Sequence, residues 1–187
     1  MRIVTDFNKA KQLLTRKDFL ESFTLSPELA TQIRHAFGKE FSPQQVVDHV
    51  ISEVRDKGDE ALFSYAEKLD GVELDSLEVG KQEISAAYDT TNKELASALK
   101  LAAERIRNFH LGYKREVGRI PTDRYLGRQI RPLDKVGIYV PGGTAAYPST
   151  VLMAAIPAKV AGVKEIVMVS PPGRDGRIPA SMLVAAD

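Results

Sequence analysis

Residues 137–149 read GIYVPGGTAAYPS and stand between a short apolar run, KVGIYV, and a longer one, TVLMAAIPAKVA. A buried strand that ends in a glycine turn and feeds directly into a helix commits the chain to an α/β arrangement. It also turns backbone N–H groups outward, where they suit an anionic ligand. A second apolar run, EIVMV at Glu165–Val169, follows the helix. Strand, crossover helix and strand make one parallel βαβ unit. Both strands are apolar throughout, so cover is expected on both faces. Gly162 is placed to cap the first helix, Thr150–Ala161. Pro171-Pro172-Gly173 follows the second strand, and Ile178–Ala186 begins another helix.

Upstream, the pattern is helical. Ser26-Pro27-Glu28 and Ser42-Pro43-Gln44-Gln45 are helix starts, the second with the spacing of a capping box. Val46, Val47, Val50, Ile51 and Val54 then recur at helical spacing. Gly58 interrupts that helix, Leu62, Tyr65 and Leu69 belong to a second one, and Asp70-Gly71 is a turn. Thr91-Asn92-Lys93-Glu94 reads as a further capping box. It opens a helix of roughly 20 residues or more, longer than most in globular domains. Its stripe is Leu95, Leu99, Ala102, Ile106 and Phe109 or His110. Arg119-Ile120-Pro121 and Arg131-Pro132-Leu133 bracket a strand or hairpin around Leu126-Gly127. The expected division is a mainly helical region, 1–118, and the start of an α/β domain, 119–187.

Composition removes several classes of function. Lys and Arg number 26 against 25 Asp and Glu, so the chain as a whole has no charge with which to hold DNA or an anionic membrane. No cysteine occurs, which excludes disulfides, thiolate zinc sites and a cysteine nucleophile within these residues. No apolar run reaches the length of a membrane span, and the N-terminus MRIVTDFNKAKQLL lacks a secretory core, so a cytoplasmic location is expected. His35, His49 and His110 stand apart from one another and from any carboxylate set with ligand spacing. A basic excess from Arg105 to Arg131 reads as a solvated or interdomain face, with RNA contact as the alternative. The last residues, SMLVAAD, form an apolar helix with no C-cap, and two parallel strands are few for a sheet. The chain therefore reads as an N-terminal fragment, the alternative being a small domain that docks this helix on a partner.

The candidate site lies at the carboxyl edge of the strands, where parallel α/β sheets bind ligands. Tyr139 there can stack on a nicotinamide or adenine ring, or be an ordinary core tyrosine. Gly142 and Gly143 let the backbone approach a ligand or simply supply the turn. Ser149 is a natural N-cap whose hydroxyl either serves the helix or faces a ligand. Pro171-Pro172-Gly173 is a rigid wall at the same edge or a plain loop.

Taken together, RPLDKVGIYVPGGTAAYPSTVLM (131–153), IPAKVAGVKEI (156–166), Pro171-Pro172, EVRDKGDEAL (53–62) and Asp70-Gly71 resemble the histidinol dehydrogenase family, and the similarity covers nearly the whole chain. The resemblance implies an incomplete, Rossmann-like, aldehyde-dehydrogenase-like sheet. It implies a zinc-requiring homodimer that oxidises L-histidinol to L-histidine through the aldehyde, reducing two NAD. It implies that Tyr139, Pro141, Gly142 and Gly143 line the NAD site and that Ser149 lies on the substrate side. The zinc ligands and the acid/base pair belong to family motifs downstream of residue 187, so no catalytic or metal residue is expected here and residues 1–187 alone are expected to be inactive. A dehydrogenase of another small alcohol and a non-enzymatic nucleotide- or protein-binding module are the competing readings.

Overall fold

The computed structural model describes residues 5–14, 25–118, 129–142 and 145–187. The chain divides into two compact units, Met1–Leu62 and Phe63–Asp187.

The first unit is helical: α1 (Phe7–Leu14), α2 (Pro27–Phe37) and α3 (Pro43–Lys57). Each start has a local cause. Asp6 Oδ1 accepts from the Lys9 N–H at 2.7 Å. Ser26 Oγ accepts from the Leu29 N–H at 3.2 Å, with Pro27 in the first turn. Ser42 and Gln45 bond each other's backbone in both directions, the reciprocal box that the spacing predicts. Phe37, Phe41 and His49 gather where α2 hands over to α3, with ring centroids 5.4–6.0 Å apart. Gly58 ends α3 with φ +60°, and α4 (Asp59–Tyr65) follows at once.

In the second unit α4 runs into one wide helical turn, Ala66–Asp70, which Gly71 closes in the left-handed region. Then come α5 (Lys81–Thr90), α6 (Lys93–Gly118), β1 (Lys135–Tyr139), α7 (Pro148–Ala161), β2 (Glu165–Val169) and α8 (Ala180–Ala186). The strands pair in parallel, from Lys135 opposite Glu165 to Tyr139 opposite Val169, as the βαβ reading requires. The expected hairpin around Leu126-Gly127 lies outside the described residues.

The core explains why α7 is apolar all round. One face, Leu152, Ile156 and Val160, packs on Leu99, Ala102, Ala103 and Ile106 of α6. Another side places Val151 with Val140 and Met182, against Ile138 and Met168 of the strands. Helix α7 is thus sandwiched and has little surface to give to polar residues. Pro157 sits inside it and cannot bond the Met153 carbonyl, but Met153 is on an open face.

Four expectations are corrected. Among the described residues only one sheet face is covered: Val136, Ile138, Ile166 and Met168 are partly buried, whereas Gly137, Tyr139, Val167 and Val169 are exposed. Both α7 and α8 pack on the same side, and none of the described residues covers the other. Second, Ser149 is not the N-cap of α7. Pro148 occupies the first helical position and Tyr147 the cap, with no side-chain bond, because a proline lacking an N–H fits the start of a helix. Third, the start of α6 belongs to Asn92, whose Oδ1 accepts from the Glu94 N–H at 2.8 Å. Thr91 closes α5 instead, its hydroxyl donating to the Ala87 carbonyl at 2.7 Å. Fourth, the stripe on α6 is only partly used: Leu99, Ala102 and Ile106 pack inward and His110, of the pair Phe109 or His110, is the partly buried one, while Leu95 and Phe109 are exposed.

Candidate functional site

The strand edge is fixed from beneath. The Val140 N–H donates to the Val169 carbonyl at 2.9 Å, which extends the ladder one residue past Tyr139. Val140 is fully buried against Val151 and Met182, so the chain is pinned there and turns outward beyond it. Tyr139, one residue earlier, points the opposite way by the two-residue period of a strand. It is 64% exposed on the uncovered face, and its hydroxyl bonds no described residue. A flat aromatic side chain with a free polar tip therefore stands at the carboxyl end of β1.

Gly142 follows in a tight seat. A Cβ placed there would lie 2.5 Å from Ser170 Oγ and 2.8 Å from the Pro171 carbonyl oxygen. Only hydrogen fits, so glycine is required by close approach to the segment leaving β2 rather than by its dihedral angles. The turn after β1 and the loop after β2 are in this way locked side by side at the edge. Pro141 is exposed beside Tyr139. Gly143 lies outside the described residues. Ser149 is exposed in the first turn of α7, and its hydroxyl bonds no described residue. The structure thus brings Tyr139, Pro141 and Gly142 to one edge and leaves Ser149 on the helix that starts a few residues on.

Sequence reasoning missed Ser170 as the neighbour of Gly142. Val169-Ser170-Pro171 carries no motif, and the contact arises only when the strands pair. It also missed Lys114, whose Nζ donates to the Val160 carbonyl at 2.7 Å. A hollow of about 400 Å³ lies elsewhere, between α5, α6, α7 and α8, with Lys100, Arg107 and Lys159 on its walls. It shares no residue with the glycine turn, and volume alone does not make it the site. Among the described residues no three His, Cys, Asp or Glu side chains are placed to hold a metal ion. No described helix is long and apolar enough to cross a membrane.

Helices packed on one face of a parallel strand pair, with a glycine turn at its carboxyl edge, define an α/β protein. The model of the family described as "Histidinol dehydrogenase" matches residues 34–187. Histidinol dehydrogenase of Dehalococcoides mccartyi (strain CBDB1) is 45% identical over 186 residues, covering 100% of this chain and 42% of that protein. The Geobacillus kaustophilus (strain HTA426) enzyme is 49% identical over 151 residues, 80% of this chain and 35% of its own length. The crystal structure of histidinol dehydrogenase from Elizabethkingia anophelis superposes with a TM-score of 0.68 at 31% identity, over 87% of this chain and 39% of that one. The chain belongs to the histidinol dehydrogenase family, and it spans about two fifths of the length of these relatives.

Proposed function

We propose that the complete gene product oxidises L-histidinol to L-histidine through the aldehyde, with NAD as acceptor, and that residues 1–187 supply one wall of its cofactor site. Tyr139 carries the reading: an exposed ring at the carboxyl end of a parallel strand, beside a turn whose backbone is bare at Gly142. Such a ring can stack on a nicotinamide while the turn limits how deep the cofactor sits. Pro141 and Gly143 belong to the same wall, and Ser149 to the substrate side. A Rossmann-like, aldehyde-dehydrogenase-like sheet is part of this reading, with β1 and β2 as its opening strands and 119–187 as the start of the NAD-binding domain after a helical 1–118. So are a homodimer and a cytoplasmic location.

Zinc, which the family implies, finds no suitable cluster among the described residues. On the family resemblance the zinc ligands lie downstream of residue 187, and residues 1–187 alone are expected to be inactive. What these residues do is bind and orient: they hold the ring that receives the hydride and keep water from one side of it.

The test is steady-state NADH formation by the purified complete gene product, with histidinol and a panel of other small amino alcohols. Tyr139→Ala is expected to raise KM for NAD about tenfold, equivalent to about 1.4 kcal/mol and within the range for stacking on one aromatic ring. Lack of turnover with histidinol discards the substrate assignment. An unchanged KM for NAD in Tyr139→Ala moves the cofactor away from this edge.

A further inference from the structure

The loop after β2 rests on a residue far from the strand edge. Gly176 has φ +75°, and a Cβ built on it would lie 3.1 Å from Val72 Cγ1. Residues 173–177 are closed on themselves. The Gly173 N–H donates to the Arg177 carbonyl at 2.8 Å and the Gly176 N–H to the Gly173 carbonyl at 2.9 Å. The Arg177 N–H also donates to Asp175 Oδ1 at 3.2 Å. A loop tied this way shifts as a body rather than residue by residue. The chain entering it carries the Pro171 carbonyl, which lies against Gly142. The loop itself sits on Val72, which is 6% exposed and held in turn by its N–H bond to the Ala66 carbonyl at 3.2 Å.

We propose that Val72 is a positioning residue for the cofactor edge: it sets the height of the loop 170–177 and hence the spacing between Pro171-Pro172 and Tyr139. The inference rests on the reading of Tyr139 and Gly142 as a cofactor wall. Its physical basis is that packed contacts have no slack, so removing two methyl groups under a stiff loop lets the loop settle. In this role Val72 acts on the loop through its contact at Gly176.

The experiment uses the complete gene product and NAD as the varied substrate. Val72→Ala is expected to raise KM for NAD about fivefold, with kcat within about twofold and KM for histidinol unchanged, the split expected of lost uniform binding. Gly176→Ala pushes from the other side and is expected to raise KM for NAD as well. Combining it with Val72→Ala removes the Cγ1 that the new Cβ meets, so the pair regains the part of that loss due to the contact, while the strain of a side chain at φ +75° stays. Hydrogen exchange of peptide 170–177 supplies a second measurement, expected to quicken in Val72→Ala while the strand peptide 135–140 does not change. An unchanged KM for NAD, or effects that simply accumulate in the pair, overturns the proposal. Tyr139→Ala measured alongside separates the two ideas. If it raises KM for NAD and Val72→Ala does not, the brace fails alone; if Tyr139→Ala is silent, the cofactor wall fails on its own terms.

Discussion

Lys114 Nζ donates a 2.7 Å hydrogen bond to the backbone carbonyl of Val160, 46 residues further along the chain. The carbonyl is one of the last in α7, where no further turn of helix exists to bond it. The ammonium supplies both the missing donor and a positive charge at the negative end of the helix dipole. Helix α6 therefore holds α7 by its end as well as by the Leu99–Leu152–Ile156 contact.

Replacing Lys114 by Met keeps the aliphatic stem and removes that bond. The side chain is largely exposed, so the expected loss is modest, about 1 kcal/mol. For a chain of this size that lowers Tm by about 2–4 °C. Thermal unfolding at low and high salt checks it. Equal Tm for variant and parent would show that water serves the Val160 carbonyl equally well.

Gly142→Ala is expected to cost more, about 1–3 kcal/mol, the range for forced overpacking. The added methyl meets Ser170 Oγ and the Pro171 carbonyl oxygen, and the carbonyl cannot swing aside as a side chain can. Ser170→Ala as a second change should restore only part of the loss, because it clears one obstacle of the two. Denaturant unfolding of both variants decides this, and full recovery in the pair would put the whole conflict on the serine.

What the sequence reveals depends on how local the cause is. Ser42 and Gln45 form their box from four consecutive residues, and β2 runs over the residues its apolar run marks. Ser149 misleads because two helix-start signals, a serine and a proline, stand side by side, and the proline's fixed φ decides. Thr91 and Asn92 are the same case, since either can cap and only the path of α5 gives Thr91 to the helix behind it. The apolar strands misled in another way: hydrophobicity signals cover without saying that both covering helices lie on one side. Of the candidate edge, Tyr139 and Gly142 were legible from the strand–turn–helix grammar. Ser170 and Val72 were not, because each meets its glycine across a tertiary contact that no spacing encodes.

The one-sided sheet makes a paired prediction about residues 1–187. Met182 is fully buried beneath β1 and β2, and Met182→Ala should cost about 2–5 kcal/mol, as truncation of large core side chains does. Val169, on the opposite face, is 56% exposed, and Val169→Lys should change stability by no more than about 0.5 kcal/mol. Urea denaturation of both variants is the measurement. A severe loss from Val169→Lys would mean that the second face is covered in solution.

The Tyr88 hydroxyl donates to Asp187 Oδ2 at 2.8 Å, joining α5 to the end of α8. This bond, then partial burial and then the carboxylate's negative charge raise the phenol's pKa above its ordinary value near 10. Since the folded state holds the proton more tightly than the unfolded state, the bond's stabilisation is complete below the ordinary pKa and disappears as pH climbs through the raised one. Wild type should therefore exceed Tyr88→Phe in stability at neutral pH and converge with it in strong alkali. The chain has 6 tyrosines, so the difference in tyrosinate absorbance between the two proteins isolates the one that ionises late. If the stability gap is the same at neutral and alkaline pH, the hydroxyl is not holding α5 to α8, and their packing must come from apolar contact alone.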